Sequence, residues 1–120
     1  MAHILVAEDE ASVAAFIERA LKGLGHEVAL VPDGLAAVAA LAANRFDLLL
    51  SDIVMPGLDG IALALKAAKD YPDMKIMLMS GYATERQRAH NLEALANLVL
   101  AKPFALAELA AAIEAALADG

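Results

Sequence analysis

Five short apolar runs alternate with stretches of helical period along the chain, and this alternation narrows the possible folds more than any other feature. The runs are His3 to Ala7, Glu27 to Val31, Phe46 to Leu50, Met74 to Met79 and Leu98 to Ala101. Runs this short and this apolar suit strands buried on both faces. Between and after them, apolar residues recur at helical spacings of three and four. The first set is Val13, Phe16, Ile17, Ala20, Leu21 and Leu24, stopped by Gly23 and Gly25. Leu35, Val38 and Leu41 mark a second helix, and Ile61, Leu65 and Ala68 a third, with Asp59 as its cap. Thr84 opens a fourth, to about Asn91, and Leu106, Leu109, Ile113 and Leu117 mark the last. Strand–helix alternation of this kind predicts an α/β fold, (βα)5, with a doubly wound parallel sheet.

Composition agrees. The chain has 120 residues, suited to a single domain over 1–120, and 61% of them are hydrophobic. Ordinary globular chains hold about 45–50%. Nine basic against sixteen acidic residues give a net charge of −7. That charge argues against nucleic acid and anionic membrane surfaces as partners. Without cysteine there are no disulfides, zinc thiolates or thiol chemistry. No signal peptide and no spanning segment is expected, which makes the cytoplasm the default location.

In doubly wound folds, ligands bind at the carboxyl ends of the strands. Glu8 and Asp9 follow the first strand, Asp52 the third, Ser80 and Gly81 the fourth, and Lys102-Pro103 the fifth. The second strand ends in Val31-Pro32, without such chemistry. Three clustered carboxylates repel one another unless a hard cation intervenes, and Mg2+ suits few carboxylates with a phosphate partner. An ammonium and a hydroxyl opposite the metal suit a transferred phosphoryl group. The nucleophile is then a carboxylate, best Asp52, which stands alone at a central strand end.

This arrangement resembles the receiver domain of two-component response regulators, of the CheY-like superfamily, over the whole chain. The matching motifs are LVAEDE around Glu8-Asp9, SDIVMPGLDG around Asp52, MSGYA around Ser80, and Lys102-Pro103-Phe104. The resemblance implies strand order 2-1-3-4-5 and a phosphoacceptor Asp52. It implies Mg2+ held directly by Asp9, through water by Glu8, by Asp52, and by the backbone carbonyl of Val54. Ser80 and Lys102 hold the phosphoryl oxygens, the Lys102-Pro103 bond is cis, and Gly81 keeps the entrance open. The implied partners are a sensor histidine kinase or a histidine phosphotransfer protein. An output protein would meet the fourth helix, fifth strand and fifth helix. Such a domain is no enzyme beyond its own phosphorylation and dephosphorylation, and a monomer or weak dimer is expected.

Two departures matter. Many receivers carry an aromatic residue where this chain has Val99, so the usual aromatic–hydroxyl coupling cannot operate as such. Val54 and Tyr82 stand where residues tune acyl-phosphate lifetime. LLLSDIVMP, the missing aromatic and LVLAKPFALAEL are also similar to the CpdR-like stand-alone receivers of alphaproteobacterial cell-cycle signalling. That likeness implies an adaptor role toward an AAA+ protease. The chain ends Ala118-Asp119-Gly120, without the pair of alanines that can serve as a degradation signal.

Other readings compete. A phosphorelay intermediate needs the same site and no output surface. A hydrolase of the haloacid dehalogenase type needs a second Asp where this chain has Val54. A nucleotide- or flavin-binding module needs a phosphate loop where this chain has Glu8-Asp9-Glu10-Ala11-Ser12. His3, His26 and His90 read as surface histidines, and Met74, Met77 and Met79 as core. Thr84 to Arg88 reads as a solvated helix face, with a partner role as the open alternative.

Overall fold

The structure, a computed structural model, describes residues 1–81 and 98–118. Five strands form one parallel sheet, in the order β2-β1-β3-β4-β5. They are β1 (His3–Ala7), β2 (Glu27–Val31), β3 (Leu48–Asp52), β4 (Lys75–Ser80) and β5 (Leu98–Ala101). Four helices lie among the described residues: α1 (Ala11–Gly23), α2 (Gly34–Ala43), α3 (Gly60–Asp70) and a C-terminal helix (Leu106–Ala118). The predicted helix from Thr84 falls outside the described residues.

The central strands are apolar throughout because both faces of the sheet are covered. Side chains alternate, so one strand feeds two cores. Leu5, Ala7, Leu49, Ile76 and Leu78 pack in the core that α2 and α3 cover. Ile4, Val6, Leu48, Leu50, Met77 and Met79 pack in the core beneath α1 and the C-terminal helix. Each fully buried Leu or Ile contributes about 1.5–3 kcal/mol of transfer free energy. The three methionines expected in the core are all buried there.

β1, β2 and β5 keep their expected bounds. β3 begins two residues later than the apolar run, at Leu48, although Phe46 is buried ahead of it. It also runs on through Ser51 and Asp52, so the phosphoacceptor candidate is the last residue of the ladder, opposite Met79.

The expected stripes face the core in part, with Ile17, Leu21, Leu41, Ile61, Leu109 and Ile113 buried. Phe16, Leu24, Leu35, Leu65 and Leu106 are exposed. The buried line of α2 is Gly34, Ala37 and Leu41, and that of α3 includes Gly60, Ala64 and Ala67. Gly34 and Gly60 make the closest approaches, and Leu41, Ile61 and Leu63 are buried beside them. Asp59 caps α3 as expected: its carboxylate accepts the Ala62 N–H at 2.8 Å. His3 and His26 are half-buried rather than free on the surface. The His3 ring lies 4.3 Å from that of Phe46, and His26 Nδ1 accepts the Ala2 N–H at 3.1 Å. His90 lies outside the described residues.

Candidate functional site

The backbone carries the reactive side chains one step past the sheet. The Glu8 N–H donates to Val31 O at 3.1 Å, Ile53 N–H to Met79 O at 3.0 Å, and Lys102 N–H to Ser80 O at 2.8 Å. These bonds extend the ladder into the strand ends, so Glu8, Asp52, Ser80 and Lys102 inherit the rigidity of the sheet. The N-terminus of α3 presses on the same point. A Cβ on Gly60 would collide with the backbone oxygen of Asp52, and the Gly60 N–H donates to Ile53 O at 2.8 Å. Only glycine permits this contact, which sequence reasoning missed. The signal was the Gly one residue after the capping Asp59.

Glu8, Asp9 and Asp52 each offer a carboxylate oxygen within 4.8 Å of the others. Glu8 and Asp52 are buried, and Asp9 is exposed. Lys102 Nζ donates to Glu8 Oε1 at 2.7 Å and to Asp52 Oδ2 at 3.0 Å. Burial alone would lower the Lys102 pKa, but the hydrogen bonds and charges of Glu8 and Asp52 outweigh it and hold it above the usual lysine value. Ser80 is buried at the end of β4. The Lys102-Pro103 peptide is cis, as expected.

The remaining expected residues sit around this centre. Val54 is half exposed and Gly81 exposed. Pro103 is exposed, while Phe104 is half-buried against the core of α1 and the C-terminal helix. Its ring centroid stands 6.3 Å from that of Phe16. Val99 packs on the opposite side, against the core beneath α2 and α3. Tyr82 and Thr84 lie outside the described residues.

The donor set fits a hard divalent cation. Its ligands are all oxygens, and one ammonium among three carboxylates leaves two negative charges unbalanced. A strand-end carboxylate beside such a cation and an ammonium is equipped to take a phosphoryl group.

Sheet order, crossover pattern and strand-end chemistry together define a receiver domain, and the chain belongs to the response regulator receiver domain family, whose profile matches residues 4–114. Among its relatives, the response regulator receiver protein CpdR of Brucella abortus is 40% identical over 114 residues, covering 95% of both chains. The transcriptional regulatory protein PrrA of Mycobacterium tuberculosis is also 40% identical, over 95% of this chain but 49% of its own length. This chain thus spans nearly all of one relative and about half of the other. Among solved structures, the response regulator TrrA of Thermotoga maritima, in complex with Mg2+-BeF, aligns with a TM-score of 0.88 at 28% identity. That alignment covers 98% of this chain and 100% of TrrA. A receiver domain protein of Methanospirillum hungatei aligns at 0.90 with 28% identity, covering 98% and 94% of the two chains. Among the described residues, no helix is long and apolar enough to cross a membrane.

Proposed function

We propose that the protein accepts a phosphoryl group on Asp52 and, in the cytoplasm, reports that event by changing its affinity for a protein partner. The observation that carries this reading is the ammonium of Lys102 set between Glu8 and Asp52, with Asp9 beside them, at the ends of three strands. An Asp52 oxygen forms the new bond to phosphorus. The bond from phosphorus to the donor breaks, and its electron pair leaves with the donor, a phosphohistidine side chain or a small acyl phosphate. Lys102 and the hydroxyl of Ser80 hold the phosphoryl oxygens. Asp9 and Asp52, with the Val54 carbonyl in support, would hold a Mg2+ ion, which would supply the positive charge that offsets the charge gathering there. The protein catalyses nothing beyond its own phosphorylation and dephosphorylation.

The phosphoryl group adds about −1.5 to −2 charges to the site. A partner reads that change only if it binds one state better than the other. The donor is a sensor histidine kinase or a histidine phosphotransfer protein, and the reading surface includes β5 and the C-terminal helix. A refinement, the adaptor toward an AAA+ protease, is favoured by the likeness to CpdR over nearly its full length. The relay reading differs in needing no stable complex with a partner that carries no phosphohistidine.

Acetyl phosphate treatment with and without Mg2+, read by intact mass, tests the proposal. One Mg2+-dependent phosphoryl adduct is expected, absent in Asp52→Ala. An adduct that persists in Asp52→Ala would overturn the assignment of the acceptor, and no adduct under any condition would overturn the reading itself.

A further inference from the structure

The second strand ends without chemistry of its own, yet the helix that follows it leans on the site. A Cβ on Gly34, the first residue of α2, would collide with the backbone oxygen of Leu58 and stand 2.9 Å from the Leu58 Cβ. Only a glycine lets the helix come this close. Leu58 lies in the segment between β3 and α3, immediately before the capping Asp59. Both ends of that segment are fixed. Ile53 N–H donates to Met79 O at 3.0 Å, and Gly60 N–H donates to Ile53 O at 2.8 Å. Inside it, Met55 is buried and Leu58 packs against the core that α2 and α3 cover. Val54 is half exposed, so its side chain does little to hold it. Its place is set by what holds its neighbours.

α2 is the firmer partner in this contact. The Asp33 carboxylate caps it by accepting the Ala36 N–H at 2.8 Å, and Ala37 and Leu41 seat it in the core. A methyl group at position 34 therefore displaces the loop more than the helix, by about 1 Å to reach ordinary van der Waals separation. We propose that Gly34 is a positioning residue for the phosphorylation site: by seating Leu58, it fixes the 53–59 loop and with it the Val54 carbonyl. α2 carries no reacting group, so this role is exerted wholly through the loop. The inference rests on the reading of the Val54 carbonyl as support for Mg2+. That ion demands near-ideal octahedral geometry, so a small displacement of one carbonyl ligand lowers its affinity.

The test separates a shifted loop from a merely weakened fold. Backbone amide shifts of 15N-labelled protein, without metal, show how far the disturbance from Gly34→Ala travels. It is expected to reach Ile53 and Val54, beyond the direct contact at Leu58. Titration of the folded variant with MgCl2 is expected to show binding at least about fivefold weaker than in wild type. Gly23→Ala makes the same chemical change in open space and should bind Mg2+ as wild type does. If Gly34→Ala does not fold, Leu58→Ala reaches the same contact from the loop side and leaves Gly34 in place. It is expected to weaken Mg2+ binding about threefold and to shift the Val54 amide. A folded Gly34→Ala that loses stability in urea but keeps Mg2+ affinity within about twofold of wild type overturns the proposal, as does a disturbance that ends at Leu58. Wild-type affinity in Leu58→Ala overturns it equally. A wild-type protein that binds no Mg2+ overturns the reading of the metal site instead, and the amide shifts of Ile53 and Val54 then decide the role of Gly34.

Discussion

Both ends of the sheet carry carboxylates, and they use them in opposite ways. At the amino end a cleft of about 540 Å3 lies between the turns that precede β3 and β4, lined by Arg45, Asp47, Asp70, Tyr71 and Asp73 among others. Its acids are spent singly. Asp47 accepts the His3 N–H at 2.8 Å, and Asp70 pairs with Lys66 at 3.0 Å on the surface of α3. At the carboxyl end Glu8 and Asp52 are buried and share one ammonium. Water screens the charges at the first end, whereas those at the second must compensate one another. The two ends thus differ in how charge is arranged, dispersed at one and convergent and buried at the other.

The largest expected effect comes from backbone packing at the carboxyl end. Gly60→Ala drives a methyl group into the carbonyl oxygen of Asp52, and backbone cannot yield as a flexible side chain can. We expect a loss of about 3 kcal/mol or more by urea denaturation, the upper range for overpacking. Gly23→Ala, at the end of α1, meets nothing within 4 Å and should gain about 0.5 kcal/mol. Equal outcomes at the two glycines would show that α3 does not brace the site.

That glycine also shows where the sequence was legible and where it was not. Strand ends are short-range information: an apolar run stops, a charged residue follows, and parallel order brings the ends together. This reasoning puts Glu8, Asp9, Asp52, Ser80 and Lys102 at strand ends, and the structure brings Glu8, Asp9, Asp52 and Lys102 together. Helix faces depend on which residue the sheet lets closest. In α2 and α3 that residue is Gly34 or Gly60, so Leu41 and Ile61 of the expected stripes are buried while Leu35 and Leu65 are exposed. In so apolar a chain several helical stripes compete, and bulk alone does not choose between them. The Lys102–Glu8 bond was missed because it joins residues 94 positions apart in sequence. Strand order brought both residues to one edge, but only coordinates show which carboxylate the ammonium prefers.

Lys102→Met comes next in size. It leaves Glu8 and Asp52 facing each other without a cation. A fully buried pair broken in this way costs roughly 3–5 kcal/mol, and partial exposure of the ammonium reduces that to about 1–3 kcal/mol. On the proposed reading Mg2+ binds the folded protein and not the unfolded chain, so saturating metal should recover part of the loss in the variant. The check is the urea midpoint with and without MgCl2. No recovery would mean that Lys102, rather than charge balance, is what the acids require.

The same ion pair gives a pH dependence of known sign. The folded pKa of Lys102 lies above its unfolded value of 10.5, so its contribution is fully present below that value. It is lost as pH rises through the raised folded value. The stability difference between wild type and Lys102→Met should therefore stay flat from neutral pH to about 9 and shrink only above the usual lysine range. A difference that closes near neutrality would show that the ammonium is not held as the geometry indicates.

The smallest effect is expected at the amino end, and its smallness carries the comparison. Asp73 is exposed in a cleft that also holds Asp47, Asp70 and Arg45. Asp73→Asn removes one charge from a screened group of mixed sign, so stability should change by less than about 0.5 kcal/mol. Any residual effect should fade with added salt, because exposed charges at this end interact through water. The Mg2+-dependent phosphoryl adduct should form as in wild type, since the length of the sheet separates this cleft from Asp52. Urea midpoints at low and high salt, with intact mass after acetyl phosphate, measure both quantities on one preparation. Loss of the adduct in Asp73→Asn would mean that the two ends are energetically coupled through the strands, and the contrast between dispersed and convergent charge would no longer account for where the chemistry lies.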